Sequence, residues 1–524
     1  MSEEAIRELA RTRLGFDDLW PGQLRAVGAA VSGRDVLAVM PTGGGKSAIY
    51  ELAGLLRPGP TVVISPLIAL QTDQLEHLRA VGLSAIVLNS HQSARAHADA
   101  IAASCASDTF VFLSPEQLSN AEARAALERA RPGLFVVDEA HLISQWGHDF
   151  RPDYMRLGAQ ADALGVPVRI GLTATAAQPV RLEICRRLGL SSPEVVVGDF
   201  DRPNIELSAK RVLSVKEKNH EIQRAAEELD GQGIVYAATH ANAEAAYEVL
   251  TSAGHRVTLY HAGLSPVVRR EAMRTYLDGS ARIVVATVAF GMGIDKPDVR
   301  WVLHADPPPS LDSYYQEIGR AGRDGTDAHA RLLFRPEDFG AAAHFASRSV
   351  GSSVVARAAL LLADGQDIGE SRPLTAALVR LVDLGAAVWS AGGEVHWTGA
   401  LSVDEVVKAS EAETERENEV QRSRLEMMRR YADHRGCRRS FLLSYFGQSY
   451  SGVCGNCDND RDARPQDPLV EPFPVGERVL SDRWGEGIVE RYDGDQMTVL
   501  FGRHGYRDLL VPLVIARRLL RRVD

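Results

Sequence analysis

The sequence predicts an α/β chain: two tandem parallel-sheet domains, then a mainly helical region, then a small β-rich tail. Three observations carry that expectation. Short apolar or β-branched runs alternate with helical segments, as in parallel sheets covered on both faces. The rhythm is repeated in a second block, and it stops after Pro336, where the spacing of glycine, proline and charge changes.

In the first block the candidate strands are Asp35 to Met40, Thr61 to Ser65, Phe110 to Ser114, Gly133 to Asp138 and Val168 to Thr173. Most end in small, polar or acidic residues, and ligands of such sheets bind at the carboxyl ends of the strands. Asp201-Arg-Pro-Asn204 breaks regular structure and marks a linker. The second block offers Gly233 to Ala237, Arg256 to His261, Arg282 to Thr287, Arg300 to Ala305 and Ala330 to Phe334. Beyond Pro336, residues 351 to 400 suggest a helical unit closed by a hairpin, Trp389-Ser-Ala-Gly-Gly-Glu-Val-His-Trp397, which gives it a winged-helix-like pattern. Residues 403 to 433, rich in Glu, Arg and Ala, predict one long helix. A Pro- and Asp-rich linker, Asp460 to Pro474, precedes glycine-punctuated strands such as Gly487 to Tyr492 and Met497 to Phe501, the pattern of a small SH3-like barrel. The expected domains are 1–200, 201–345, 346–402, 403–462 and 463–524.

Bulk properties narrow the class. The 524 residues are 45% hydrophobic and 24% charged, as in soluble globular proteins. No run approaches the ~18 apolar residues of a membrane span, and the first ten residues do not resemble a signal peptide, so a cytoplasmic protein with no membrane partner is expected. A formal net charge of −10 argues against a nonspecific nucleic-acid coat. Local basic clusters still allow phosphate binding, and Arg429, Arg430, Arg435, Arg438 and Arg439 form one. Five cysteines do not make a disulfide framework; three of them, Cys437, Cys454 and Cys457, cluster as metal ligands do.

Met40-Pro-Thr-Gly-Gly-Gly-Lys-Ser47 lies between a strand and a helical run. There the backbone N–H groups of Thr42, Gly43, Gly44 and Gly45 can wrap a polyphosphate at a helix N-terminus. Lys46 would reach the β- and γ-phosphates of ATP, and the Ser47 hydroxyl would hold Mg²⁺. In Val136-Val-Asp-Glu-Ala-His141, Asp138 can hold the same Mg²⁺ and Glu139 can deprotonate the attacking water. Tyr315-Gln-Glu-Ile-Gly-Arg-Ala-Gly-Arg323 places Arg320 and Arg323 three apart, on one helical face, as cations for the charge developing on the γ-phosphate. Reaching across an interdomain cleft, they would make domain closure depend on ATP.

These segments, with Phe16 to Gln23, Ser65-Pro-Leu-Ile68, Leu172-Thr-Ala-Thr175, Val284 to Gly293 and Gln316 to Arg323, resemble the ordered motifs of superfamily 2 helicases. Ile143-Ser-Gln-Trp-Gly-His-Asp-Phe-Arg-Pro152 resembles the aromatic-rich loop of the RecQ family, and Phe200-Asp-Arg-Pro-Asn204 and Ala289 to Ile294 resemble RecQ segments. The similarity runs from about residue 10 to 345 and again from 437 to 460. It implies two RecA-like domains, Gln23 reading the adenine, Gln316 in the catalytic group, and the Trp146 loop coupling DNA contact to hydrolysis. An exposed Trp146 can stack on a base, with His148 beside it and Arg151 on a phosphate. Ser65, Thr239, His261 and Thr287, at strand ends, could track a phosphate chain, although each equally suits a helix cap.

A RecQ-type zinc module would carry a fourth cysteine at position 460, where this chain has Asp460. A structural Zn²⁺ held by Cys437, Cys454, Cys457 and Asp460 is the favoured set, with Asp458 and His434 as substitutes. The family's winged helix follows its zinc module; here a tail follows that resembles the Tudor-like tails of UvrD-type helicases. The resemblance therefore implies an ATP- and Mg²⁺-dependent DNA helicase of repair or recombination, moving 3′ to 5′ on single-stranded and tailed or branched duplex DNA. Two alternatives are a single-strand translocase without unwinding and a partner-recruiting DNA-binding ATPase switch. A monomer is expected, with a protein partner at the C-terminal β domain, and DNA is favoured over RNA.

Overall fold

The computed structural model describes residues 2–523 except 42–43, 67, 89–108, 119, 144–151, 291–295, 341–349, 367, 369–370, 391–394, 449, 451, 463–471, 494–495 and 503. Its contacts divide the chain into two compact units, Met1–Asp199 with Ser349–Glu415, and Phe200–Arg348 with Arg416–Asp524.

The first unit is built on strands β1 (Val36–Val39), β2 (Thr61–Ile64), β3 (Ser84–Leu88), β4 (Thr109–Leu113), β5 (Leu134–Val137), β6 (Arg169–Thr173) and β7 (Glu194–Val197). Their order is β3-β4-β2-β5-β6-β1-β7, and every pairing is parallel. The five central strands are the continuous apolar runs of the sequence, and nearly all their residues are buried. The two strands absent from the sequence expectation, β3 and β7, are the sheet's edges. Their polar and half-exposed positions, such as Ser84 and Glu194, interrupt the apolar run that announces an inner strand.

The segment after Pro336 joins this unit in part. Helices Ser352–Ala363 and Arg372–Asp383 pack with the antiparallel pair β14 (Ala387–Trp389) and β15 (Val395–Trp397) around Val355, Ala358, Leu381 and Val406. The Arg187 guanidinium is paired in two places with the Asp383 carboxylate, one contact at 2.7 Å, and Arg156 stacks over the Trp389 ring at 4.1 Å.

The second unit repeats the scheme with β8 (Ile205–Arg211), β9 (Gln232–Tyr236), β10 (Val257–Tyr260), β11 (Ile283–Ala286), β12 (Val299–His304) and β13 (Ala328–Phe334), in the order β10-β11-β9-β12-β13-β8. All of these pairings are parallel. The strand missing from the sequence reading, β8, is again an edge. The predicted long helix spans Val403–Asp433, 31 residues, and its C-terminal part belongs to this unit.

The C-terminal segment forms β16 (Arg478–Ser481), β17 (Gly485–Asp493), β18 (Gln496–Phe501), β19 (Gly505–Leu510) and β20 (Arg521–Arg522), an antiparallel sheet in the order β19-β18-β17-β16-β20. It has its own core of Val479, Val489, Met497, Val499 and Phe501. It also packs on its neighbours: Arg491 lies over Phe441 at 3.8 Å, Tyr506 against Tyr445 at 5.6 Å, and Arg507 pairs with Glu419. Among the described residues no helix is long and apolar enough to cross a membrane.

Candidate functional site

The first unit places the glycine loop after β1 and the acidic pair after β5, separated in the sheet by β6 alone. Helix Lys46–Leu56 begins directly after Gly45, whose φ of +67° is left-handed. A Cβ there would lie 2.5 Å from Gln23 Nε2, so both conformation and space require glycine. Gln23 sits beneath the loop: Nε2 donates to Gly45 O at 2.8 Å and Gly44 O at 3.3 Å, and Oε1 accepts from Trp20 N at 2.8 Å. Lys46 Nζ donates to Met40 O at 3.2 Å, and Ser47 follows in the first helical turn. Thr42 and Gly43 lie outside the described residues.

Asp138 N is tied to Ile64 O at 2.9 Å, which fixes the acidic segment to the end of β2. Burial, with Glu139 next, pushes the Asp138 carboxyl up to about 7, against the pull of the Lys46 ammonium. A carboxylate so costly to ionise suits a cation partner. Glu139 itself has a φ of +50°, a strained conformation for a residue with a side chain. Its carboxylate stands 3.3 Å from His141 Nδ1, which in turn lies 3.0 Å from Thr173 Oγ1 at the end of β6. Thr173 Oγ1 donates to Thr175 O, so the acidic segment and the Leu172-Thr-Ala-Thr175 segment share one hydrogen-bonded run. The donor set fits a Mg²⁺–triphosphate: backbone at a helix N-terminus, one ammonium, one hydroxyl and a buried carboxylate.

In the second unit the arginines are placed differently from the sequence expectation. The helix ends at Ile318, so Arg320 and Arg323 lie in the turns that follow and do not share a helical face. Gly319 and Gly322 provide the break; Gly322 has a φ of +57°, and a Cβ there would lie 2.4 Å from Asn204 Nδ2. Arg320 is buried and hydrogen-bonds the Tyr236 hydroxyl, which donates to Phe290 O at 3.0 Å. Gln316 is half-buried on the helix, behind a buried His304–Glu317 contact of 2.6 Å.

Cys437, Cys454, Cys457 and Asp460 converge, with one donor atom from each lying within 4.8 Å of all the others. Gly455 N donates to Asp460 Oδ2 at 2.6 Å, turning this carboxylate towards the cluster. Hydrogen bonding from the Cys437 thiol holds Cys457 down at about 6; burial pushes Asp460 up, and the hydrogen bonds of the thiols and of Gly455 N outweigh it and hold it below the usual carboxylate range. Three thiols and a carboxylate at this separation fit a four-coordinate Zn²⁺. The two substitutes stand elsewhere: Asp458 pairs with Arg438 and accepts from Ala209 N, and His434 packs on Phe441.

The expected basic patch is largely consumed inside the fold. Arg438 pairs with Asp458, Arg439 with Asp201, and Arg430 with Glu426 and Asp508. Local spacing cannot show this, because several of these partners come from distant segments.

Of the proposed DNA contacts, Trp146, His148 and Arg151 lie outside the described residues. Ser65 is buried, and its hydroxyl finds no hydrogen-bond partner among the described residues. Thr239 caps helix His240–Ser252, with Oγ1 accepting from Asn242 N at 3.0 Å. His261 is buried and stacked on His240 at 4.4 Å, and Thr287 is buried at the end of β11. Sequence reasoning missed what holds the arginine segment, namely Arg202 and Asn204, because no local pattern pairs them with carbonyls more than a hundred residues away.

Comparison with known proteins gives the same layout. The DEAD/DEAH box helicase family matches residues 20–182, the helicase conserved C-terminal domain 217–325, and the RecQ zinc-binding family 402–461. The chain is 34% identical to a probable ATP-dependent DNA helicase RecS of Bacillus subtilis, over 84% of this chain and 88% of that protein. It is 32% identical to the ATP-dependent DNA helicase RecQ of Haemophilus influenzae, over 94% and 69%. The same identity holds to the RecQ of Pasteurella multocida, of which it spans 65%. The crystal structure of the DUF1998 helicase MrfA bound to DNA superposes with a TM-score of 0.51 at 19% identity, covering 76% of this chain and 59% of that one, a likeness of fold. By the extent and identity of these matches, the chain belongs to the RecQ family of helicases.

Proposed function

We propose that this chain is an ATP-dependent DNA helicase that moves 3′ to 5′ along single-stranded DNA and unwinds tailed or branched duplexes in repair or recombination. The observation that carries the reading is the gathering of Gly44 to Ser47, Asp138 and Glu139 at the carboxyl ends of β1 and β5 in the first sheet. Backbone amides and Lys46 bind the phosphates, and Gln23 contacts the adenine from beneath the loop. Ser47 and Asp138 would hold Mg²⁺, which when bound polarises the γ-phosphoryl group. Glu139 takes the proton of the attacking water, and His141 orients Glu139. Arg320 and Arg323 neutralise the developing charge, with Gln316 beside them.

Trp146, His148 and Arg151 contact the DNA, together with Ser65, Thr239, His261 and Thr287 along the strand ends. Cys437, Cys454, Cys457 and Asp460 hold a structural Zn²⁺. The domains run 1–200, 201–345, 346–402, 403–462 and 463–524, the last an SH3- or Tudor-like module open to a protein partner. The protein works as a monomer in the bacterial cytosol.

Translocation without strand separation is the second reading. It is favoured by the antiparallel sheet of residues 478–522 standing where the family's winged helix follows the zinc module.

Strand separation of a 3′-tailed duplex, measured with ATP hydrolysis in the presence and absence of single-stranded DNA, tests both readings. Wild type should unwind and show DNA-stimulated hydrolysis, and Glu139→Gln should lose about 10²- to 10⁴-fold in kcat. Stimulated hydrolysis without unwinding would select the translocase, and absence of stimulation would remove the motor reading altogether.

A further inference from the structure

The turn that carries Arg320 and Arg323 is built from carbonyls with no helix left to satisfy them. Beyond Ile318 the carbonyls of Gly319, Ala321 and Gly322 lack intrahelical partners, and such groups need donors from elsewhere. Two side chains of one short strap, Phe200–Asn204, supply them. Arg202 Nη1 donates to Gly319 O at 3.2 Å, and Arg202 Nη2 to Ala321 O at 2.8 Å and Gly322 O at 2.9 Å. Asn204 Nδ2 donates to Gly322 O and Thr326 O, both at 2.9 Å. Every one of these contacts falls on the segment that holds the two arginines.

Arg202 is an expensive residue to use as a mere filler. Burial pulls its guanidinium below the usual arginine range, and no carboxylate pairs with it among the described residues. A half-buried cation met by carbonyl dipoles alone is retained where its fixed fork geometry is needed.

The far side of the strap is anchored just as firmly. Tyr315 Oη donates to Phe200 O at 2.7 Å, and the Phe200 ring stacks on Phe446 at 4.6 Å. Asp201 pairs with Arg439 at 2.5 Å, and Arg439 also donates to Ile205 O at 2.7 Å. Asn456, between Cys454 and Cys457, donates from Nδ2 to Pro203 O at 2.8 Å and accepts from Leu207 N at 3.2 Å. The cysteine cluster thus grips one side of the strap, and Arg202 and Asn204 extend from it to the arginine turn.

We propose that Arg202 and Asn204 are positioning residues for Arg320 and Arg323, setting the orientation of the arginine turn from a strap held by the cysteine-cluster module. The inference rests on the reading of Arg320 and Arg323 as the charge-stabilising cations. Their misplacement should slow the chemical step and leave the binding of ATP and DNA unaffected.

The test is a mutant cycle on the full-length protein. Arg202→Ala, Asn204→Ala, Arg320→Ala and Arg202→Ala/Arg320→Ala are compared for single-strand-stimulated kcat, KM for ATP, single-strand affinity, zinc content and thermal unfolding. Arg202→Ala should lower kcat by about tenfold to a hundredfold, with KM and DNA affinity within about twofold of wild type and zinc retained. Asn204→Ala should show a smaller loss of the same kind, and it carries the test should Arg202→Ala not fold. In the double variant the second substitution should add almost nothing, because both act through one group. An unchanged kcat in Arg202→Ala and Asn204→Ala, with a loss in Arg320→Ala, would overturn the strap alone. An unchanged Arg320→Ala would overturn the arginine reading on which it rests. Independent, additive losses, or zinc and DNA binding lost in step with kcat, would make Arg202 a residue of general stability.

Discussion

The two chemical regions of this protein are assembled in opposite ways. The candidate nucleotide site of the first unit is made of element ends: the exit of β1, the exit of β5, and the first turn of helix Lys46–Leu56. Each functional group sits within a few residues of a strand that the sheet itself positions. The arginine and cysteine region of the second unit is held by side chains that meet from far apart in sequence. Arg424 reaches Asp312 across 112 residues, Tyr445 reaches it across 133, and Arg439 reaches Asp201 across 238. The difference teaches that the groups proposed to bind phosphate are specified locally, whereas the orientation of the arginines proposed to respond to it is specified by packing.

If that contrast is right, the two regions fail differently. Glu139→Gln should remove turnover and leave the fold intact. Asp312→Ala should do the reverse, and it is the largest stability effect expected. Asp312 is buried and accepts from Arg424 Nη2 at 2.6 Å and Tyr445 Oη at 2.5 Å; burial works against the Arg424 charge, and the Asp312 carboxylate outweighs it and holds the guanidinium firmly charged. Removing the carboxylate strands that cation, at a cost of about 3–5 kcal/mol. Denaturant unfolding of the second unit would measure it, and a loss below ~1 kcal/mol would show that the region is not held by this network.

Next in size is Asp460→Ala. With three thiolates left, the zinc dissociation constant should rise by at least about 100-fold, measured against a chromogenic chelator, while Asp460→Cys should keep the metal. A 100-fold loss corresponds to about 2.7 kcal/mol of apparent stability at saturating zinc. Unchanged zinc retention in Asp460→Ala would remove the carboxylate from the ligand set and weaken the idea that the cluster anchors the strap.

The same contrast explains how much was legible beforehand. Inner strands and the long helix could be read, because a parallel sheet buries its centre and writes that as unbroken apolar runs. The edges β3, β7 and β8 could not, since their half-exposed residues dilute the pattern, and Val195 and Val197 are about 40% exposed. The phosphate loop and acidic pair were visible because their chemistry depends on neighbouring residues. The spacing of Arg320 and Arg323 misled, since a three-residue interval means one face only while the helix continues, and Gly319 and Gly322 end it. Arg438 and Arg439 misled in the same sense: five arginines in one segment read as a surface until Asp458 and Asp201 arrive from other elements.

Tyr506→Leu gives the smallest effect and the sharpest test of where the second region ends. The Tyr506 ring packs against Tyr445 at 5.6 Å, its buried hydroxyl has no hydrogen-bond partner among the described residues, and the Tyr445 hydroxyl donates to Asp312. The antiparallel sheet therefore meets, through two phenols, the carboxylate at the start of helix Leu311–Ile318, whose end leads into the arginine turn. Removing the ring leaves Tyr445 and Arg424 in place on Asp312, so the loss of the aromatic pair should be about 1 kcal/mol, read as a shift in the unfolding midpoint. If the sheet is part of the region, the shift should disappear in an Asp312→Asn background, because the phenol pair would then have lost the group it supports. A shift of equal size in both backgrounds would mean that the C-terminal sheet is stabilised on its own account, and that the long-range assembly stops at the helix carrying Tyr445.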